Sequence, residues 1–234
     1  MKTFCTSHYK KMDNTYVVCG CKSWNRKVFD NVISKLPGKW QYIESKEELI
    51  LEAVKNISPR YVFFLHWSWI VPSEIFENVE CINFHMTDLP YGRGGSPLQN
   101  LILRGHKDTK LTAHRMTAQL DEGPVYLKKE LSLEGRAQEI LERACDLSAA
   151  MIEEVIKTNP EPREQEGEIV VFERRTPEMS EIPKGLSPEK RYDFIRMLDA
   201  EGYPPAFEII DGIWYQYHNA RLNNGELEVE STVL

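Results

Sequence analysis

The run Tyr61-Val62-Phe63-Phe64-Leu65 is apolar without interruption. Successive side chains of a strand point to opposite faces, so a strand with no polar alternation must be covered on both sides. The run is too short for a core helix. It therefore restricts the chain to folds in which helices cover both faces of a central sheet, an α/β arrangement.

The flanking segments fit. Residues 15–19 predict a short strand ended by Gly20. Residues 23–36 have helical spacing (Trp24, Val28, Val32, Ile33, Leu36) and stop at Pro37-Gly38. Residues 40–43 predict a second strand. Ser45 is placed to cap a helix over 46–56, with Glu48 completing a capping box. Asn83-Phe84-His85 closes the next strand. The order β-α-β-α-β-α-β predicts a Rossmann-like parallel sheet with helices on both faces. The first strand–helix turn lacks G-x-G-x-x-G, and Gly20 alone does not argue for a dinucleotide.

Further along, Ser96 is expected as an N-cap with Pro97 at the first helical position, the helix ending at Gly105. Strands are predicted over 111–116 and 125–133, joined by a turn at 119–124. A long helix follows with Ile140, Ala144, Leu147, Met151 and Val155 on one stripe. From Pro160 the texture turns rich in Pro, Gly and charge. Residues 192–198 then read as helix. Residues 206–210, 214–217 and 226–233 read as a small antiparallel unit with Asp211-Gly212 and Asn224-Gly225 as hairpin turns. The expected organisation is a core over 1–157 and a C-terminal extension over 158–234 with a helix and β-hairpins.

At 234 residues and 41% hydrophobic content the chain can bury a sizeable core, and its aromatics argue against disorder. The net charge of −7 gives no bulk electrostatic support for nucleic-acid binding. Arg174 and Arg175 read as a solvated pair. The five cysteines are scattered and complete no disulfide framework or zinc motif, so reduced thiols in a cytoplasm are expected. No metal site is expected. There is no signal-peptide core and no apolar stretch long enough for a membrane span.

The segment Cys81-Ile82-Asn83-Phe84-His85 carries the chemistry. Residues two apart on a strand share a face, so the Asn83 carboxamide and the His85 imidazole project together. A carboxamide donor beside a titratable ring suits a reaction in which an oxyanion forms and a proton moves. His66, His106, His114 and His218 are expected to be structural or surface residues.

Three ordered motifs, Asn83-Phe84-His85, the loop Arg93-Gly94-Gly95-Ser96-Pro97-Leu98-Gln99, and Asp121-Glu122-Gly123-Pro124, resemble those of the 10-formyltetrahydrofolate-dependent formyltransferases. The resemblance runs from about Thr15 to Ala220. Within that family, Phe64-Leu65-His66-Trp67-Ser68-Trp69-Ile70-Val71-Pro72, Phe84-His85-Met86-Thr87-Asp88-Leu89-Pro90 and Arg196-Met197-Leu198-Asp199-Ala200-Glu201-Gly202-Tyr203-Pro204 resemble the sugar N-formyltransferases. A methionyl-tRNA enzyme is expected to carry a further C-terminal domain.

The resemblance implies the formyltransferase fold, 10-formyltetrahydrofolate as formyl donor, and catalysis by Asn83, His85 and Asp121. An amine attacks the formyl carbon, and the carbonyl oxygen gains charge. Asn83 would donate to it, protonated His85 would stabilise it, and Asp121 would hold the imidazolium or order a water. The pterin would be gripped by Trp67, Ser68, Trp69 and Ile70 and by Ala118, Gln119 and Leu120, with Arg93, Gly94 and Gly95 bordering the reacting centre. The acceptor implied is a nucleotide-linked amino sugar, contacted by Lys10, Arg93, Arg196 and Tyr203, with Arg174 as a further phosphate candidate and Trp214 as a further stacking one. Rival readings are formylation of another amine, such as a carrier-bound aminoacyl group, and folate or nucleotide binding without turnover. The C-terminal hairpins leave an edge that would pair with a second copy, so a homodimer is expected.

Overall fold

The structure, a computed structural model, describes residues 14–234. Lys10 and Cys5 lie outside the described residues. The chain divides into two compact units, Met1–Ile82 and Asn83–Leu234.

The first unit is parallel α/β. Strands β1 (Thr15–Gly20), β2 (Lys39–Ile43) and β3 (Tyr61–Leu65) alternate with helices α1 (Ser23–Asn31) and α2 (Leu51–Ile57). β1 lies between the other two, parallel to both, with Tyr16 opposite Trp40 on one side and Tyr61 on the other. The crossovers from β1 to β2 and from β2 to β3 therefore run in opposite directions along the sheet. Right-handed crossovers then put α1 and α2 on opposite faces. All five residues of β3 are buried, as the sequence requires. Tyr16, Trp40 and Phe63 form a ring cluster, Tyr16 stacking on Trp40 at 4.6 Å. Tyr16 and Phe63 are fully buried, and burying such a side chain contributes about 1.5–3 kcal/mol relative to exposure. A short helix α3 (Ser73–Phe76) leads to β4 (Cys81–His85), whose first two residues end this unit.

The expected capping box at Ser45 is not formed. Ser45 Oγ donates to Glu48 Oε1 at 2.7 Å, and α2 begins five residues later than predicted after Ile50. The two polar side chains satisfy one another instead of the backbone. Likewise the helix predicted over 23–36 ends at Asn31 and continues as a 3-10 turn, Ile33–Lys35.

The second unit opens with the last three residues of β4. There the strand order is β4, β6 (Asp108–Arg115), β7 (Val125–Ser132). β6 and β7 are antiparallel, with a bulge between Ala113 and His114. The long helix α5 (Ala137–Thr158) packs on this arm, with Ile140, Ala144, Met151 and Val155 buried. The residues on either side of the expected boundary near Lys157 both belong to this unit.

The Gly-rich stretch is not a loop. Residues Tyr91–Gly94 form strand β5, parallel to β8 (Val170–Phe172). Gly94 sits at φ +99°, and an added Cβ would lie 2.5 Å from the Phe172 carbonyl oxygen. Glycine here permits close strand approach. Helix α4 (Pro97–Leu103) follows with Pro97 in its first turn as predicted. Ser96 is left-handed, however, and its hydroxyl accepts from Arg175 N–H at 3.0 Å rather than capping the helix. Arg175 is accordingly half-buried and stands over the Phe194 ring, unlike the exposed Arg174.

After α6 (Pro188–Arg196), strands β9 (Ala206–Ile210), β10 (Ile213–Asn223) and β11 (Glu226–Val233) make a three-stranded antiparallel sheet. Asp211-Gly212 and Asn224-Gly225 all have positive φ, as two-residue hairpin turns require. Among the described residues no helix is long and apolar enough to cross a membrane.

Candidate active site

Asn83 and His85 leave β4 on one face, and the second unit brings three further groups to them. The His85 ring is buried. Its Nε2 lies 2.8 Å from the Gly92 carbonyl oxygen on β5, and its Nδ1 lies 3.6 Å from Asp121 Oδ2. A carbonyl only accepts, so Nε2 carries the proton of the neutral ring and Nδ1 presents a lone pair towards Asp121. Burial pulls the His85 pKa below its ordinary value. Asp121 and the Gly92 carbonyl oppose that shift without overcoming it. The ring is therefore neutral at pH 7, with Nδ1 ready to take a proton and a carboxylate poised to stabilise the result.

Asp121 occupies the turn between β6 and β7 in the left-handed region, φ +56°, rare for a non-glycine residue. Its Oδ2 accepts from the Gly94 N–H at 3.0 Å. Burial raises its pKa. The hydrogen bond from His114, the neighbouring His85 and His114 rings and the Gly94 amide outweigh that effect, so the carboxyl lies below its ordinary value and is ionised. Two residues on, an added Cβ at Gly123 would lie 1.8 Å from the Arg115 carbonyl oxygen, so the turn closes only over glycine.

His114 is the residue that sequence reasoning missed. Expected to be structural, it is 2% exposed and bridges the site. Its Nδ1 lies 3.0 Å from the Arg115 carbonyl, and its Nε2 lies 3.3 Å from Asn83 Nδ2 and 3.4 Å from Asp121 Oδ1. A carbonyl only accepts, so Nδ1 carries a proton towards Arg115; Nε2 stands between the Asn83 amide and the Asp121 carboxylate, able to accept from the first when unprotonated or to donate to the second when protonated. The contact at 3.3 Å holds the Asn83 amide nitrogen beside the carboxylate, where an N–H can be offered to an oxyanion. The bulge beside His114 re-aims its side chain. The available signal was position: the predicted strand 111–116 runs straight into the Asp121 turn.

The other expected residues fall as follows. Arg93 is engaged on both sides, by Gln165 Oε1 at 2.9 and 3.1 Å and by Glu122 at 3.1 Å. Arg196 is buried, donating to the Leu133 and Gly135 carbonyls and to Asp193. It braces α6. Tyr203 is half-buried in a turn closed on the Ala200 carbonyl. Trp214 stacks on Phe207 at 4.6 Å. Gly95 donates its N–H to the Phe172 carbonyl at 3.0 Å.

In the first unit, Trp67 packs edge-on against Phe64 and Trp69. Its indole N–H is buried and has no partner among the described residues. Ser68 Oγ lies 3.3 Å from Cys21 Sγ, and Ile70 is 96% exposed. Nearby, His66 accepts at Nδ1 from the Trp24 indole at 3.0 Å. In the second unit, Ala118, Gln119 and Leu120 are exposed.

An oriented carboxamide, a neutral imidazole and a hydrogen-bonded carboxylate define a site for acyl transfer to a nucleophile that must lose a proton. The family model described as Formyl transferase matches residues 12–155, more than half of the chain, and the chain belongs to that family. A second model, Methionyl-tRNA formyltransferase, C-terminal domain, matches residues 177–233.

The chain is similar to a solved methionyl-tRNA formyltransferase from Clostridium thermocellum, with 45% identity, a TM-score of 0.90, and coverage of 94% of this chain and 99% of that one. It is 29% identical over 189 residues to methionyl-tRNA formyltransferase of Clostridium perfringens (strain SM101 / Type A), covering 77% of this chain and 60% of that protein. The chain thus spans about 60% of the curated relatives it first matches. A 4-N formyltransferase from Francisella tularensis shares 16% identity at a TM-score of 0.66, covering 85% of this chain and 93% of that one. That likeness shows the fold alone.

These findings overturn the nucleotide-sugar acceptor and the expectation of no nucleic-acid partner. The more similar relatives are methionyl-tRNA formyltransferases, and the hairpin unit taken as an extension matches their C-terminal domain. A net charge of −7 does not exclude a nucleic-acid partner, because it is a sum over the chain whereas contact with a polyanion depends on local surface.

Proposed function

We propose that this chain transfers a formyl group from 10-formyltetrahydrofolate to the amino group of an aminoacyl-tRNA, with methionyl-tRNA as the acceptor. The observation that carries the chemistry is the array of half-buried Asn83 with buried His114, Asp121 and His85 in one unit. The acceptor is supported by the 45% identical methionyl-tRNA formyltransferase and by the C-terminal-domain match.

The donor supplies an activated formyl group on nitrogen. As the acceptor amine attacks, an Asn83 N–H holds the developing oxyanion. His85 Nδ1 takes the amine proton, and Asp121 stabilises the imidazolium. His114 stands between the Asn83 amide and Asp121 and holds the two groups in place. The same His85 proton then returns to the departing nitrogen. Within the first unit the residues fit the donor: the Trp67 indole N–H, buried without a partner among the described residues, suits a pterin carbonyl, and Ile70 offers exposed apolar surface for its rings.

Purified protein supplied with 10-formyltetrahydrofolate is assayed for tetrahydrofolate release with methionyl-tRNA, uncharged tRNA, or a carrier-bound aminoacyl thioester. Release dependent on methionyl-tRNA is expected. Release only with the thioester, or with none of the three, rules out the proposed acceptor.

A further inference from the structure

We propose that Gln165 is a positioning residue for this reaction, clamping the Arg93 strand to the Asp121 turn so that the carboxylate faces His85. The inference deepens the formyl-transfer reading and rests on it for its kinetic arm. Gln165 lies in the Pro- and charge-rich stretch after α5, where the sequence offers no motif. A carboxamide has one oxygen and two N–H donors, and here all are engaged. Its Oε1 accepts from Arg93 Nε at 3.1 Å and Nη2 at 2.9 Å. Its Nε2 donates to the Asp121 carbonyl at 2.8 Å and the Gly123 carbonyl at 2.9 Å.

Both arms end at the site. Arg93 lies between Gly92, whose carbonyl meets His85 Nε2, and Gly94, whose N–H holds Asp121 Oδ2. Asp121 is left-handed, a conformation that persists only when its surroundings over-determine it. Gln165 supplies one such constraint through the backbone, and Gly94 supplies another through the side chain. The clamp is itself anchored, since Arg163 and Val125 exchange two backbone hydrogen bonds at 2.7 and 2.9 Å. Glu122, paired with Arg93 at 3.1 Å, is the remaining charge on the clamp. The titratable groups facing His85 are Asp121 and His114.

Two substitutions separate the arms. Gln165→Met keeps side-chain bulk and removes both. Gln165→Glu still accepts from Arg93 but cannot donate to the two carbonyls. In Gln165→Met, kcat falls about tenfold or more while KM for the donor stays within about twofold, since small displacements of reacting groups act on the transition state. The His85 ring, followed by NMR without substrates, titrates at lower pH because Asp121 no longer supports its charged form. Gln165→Glu shows a kcat loss at least as large. A folded Gln165→Met protein whose His85 titration matches the wild type overturns the proposal. So does a Gln165→Glu protein with wild-type kcat. Wild-type protein that transfers no formyl group counts against the proposed function, and the NMR titration then decides the clamp alone.

Discussion

At the scale of single residues, the site is a set of assigned hydrogen-bond roles. Asn83 Nδ2 lies 3.3 Å from His114 Nε2 and is the group placed to donate to an oxyanion. Asn83→Ala should therefore lower kcat by roughly a hundred- to a thousandfold, the usual effect of deleting an oxyanion donor. Steady-state kinetics checks it, with circular dichroism to confirm folding. The pH dependence follows from His85. Its pKa is below the ordinary 6.5, so the basic form persists below pH 6.5. The rate should be flat near pH 7 and fall only as pH drops through that lowered value. A kcat/KM profile with its acid limb above pH 6.5 contradicts the assignment. That Asn83 and His85 share a strand face was legible in period-two spacing, and Asp121 was marked by the resemblance of its turn motif. His114 and Gln165 were not legible. Their roles arise from a strand bulge and from a segment 44 residues beyond Asp121 in sequence, and neither carries a local signal.

At the scale of elements, the legible parts were those in which one local force dominates. The apolar run of β3 appears at the predicted residues, and both two-residue hairpin turns form where Asp-Gly and Asn-Gly stand. Elements failed where a polar side chain had two competing partners. Ser45 pairs with Glu48 instead of a helix terminus, and Ser96 serves Arg175. The β5–β8 ladder was hidden because glycine reads as a loop signal, yet here it allows close backbone approach. The turn after β3 makes a stability prediction. His66 is left-handed, φ +46°, and burial, with Lys22 nearby, pulls its pKa down to about 4. Its folded pKa is below its unfolded value near 6.5. The unfolded chain thus binds the extra proton between those limits, and stability is lost as pH falls from 6.5 towards 4. The loss approaches about 1.4 kcal/mol per pH unit within that window. His66→Asn tolerates the same backbone and does not titrate. Urea midpoints should drop less between pH 7 and pH 5 in the variant than in the wild type. Equal drops would show that His66 titrates alike in both states.

At the scale of the whole molecule, the parallel α/β class was written in the alternation of strands and helices, while the acceptor was not. The same reaction centre serves any amine, and the features that turned the reading from a sugar to an aminoacyl-tRNA are diffuse likenesses across residues 177–233 and along the chain. Net charge does not decide the partner, because it reports the whole chain rather than one surface. The central claim is that the Asn83–His114–Asp121–His85 array moves a formyl group onto a tRNA-borne amine. The direct measurement is a single turnover with excess enzyme, labelled 10-formyltetrahydrofolate and methionyl-tRNA, in which the label on the aminoacyl group is counted for wild type and His85→Ala. The account predicts label on the methionine of the wild-type reaction and a rate at least about a hundredfold lower for His85→Ala. No label on methionine, or equal rates for the two proteins, would contradict it.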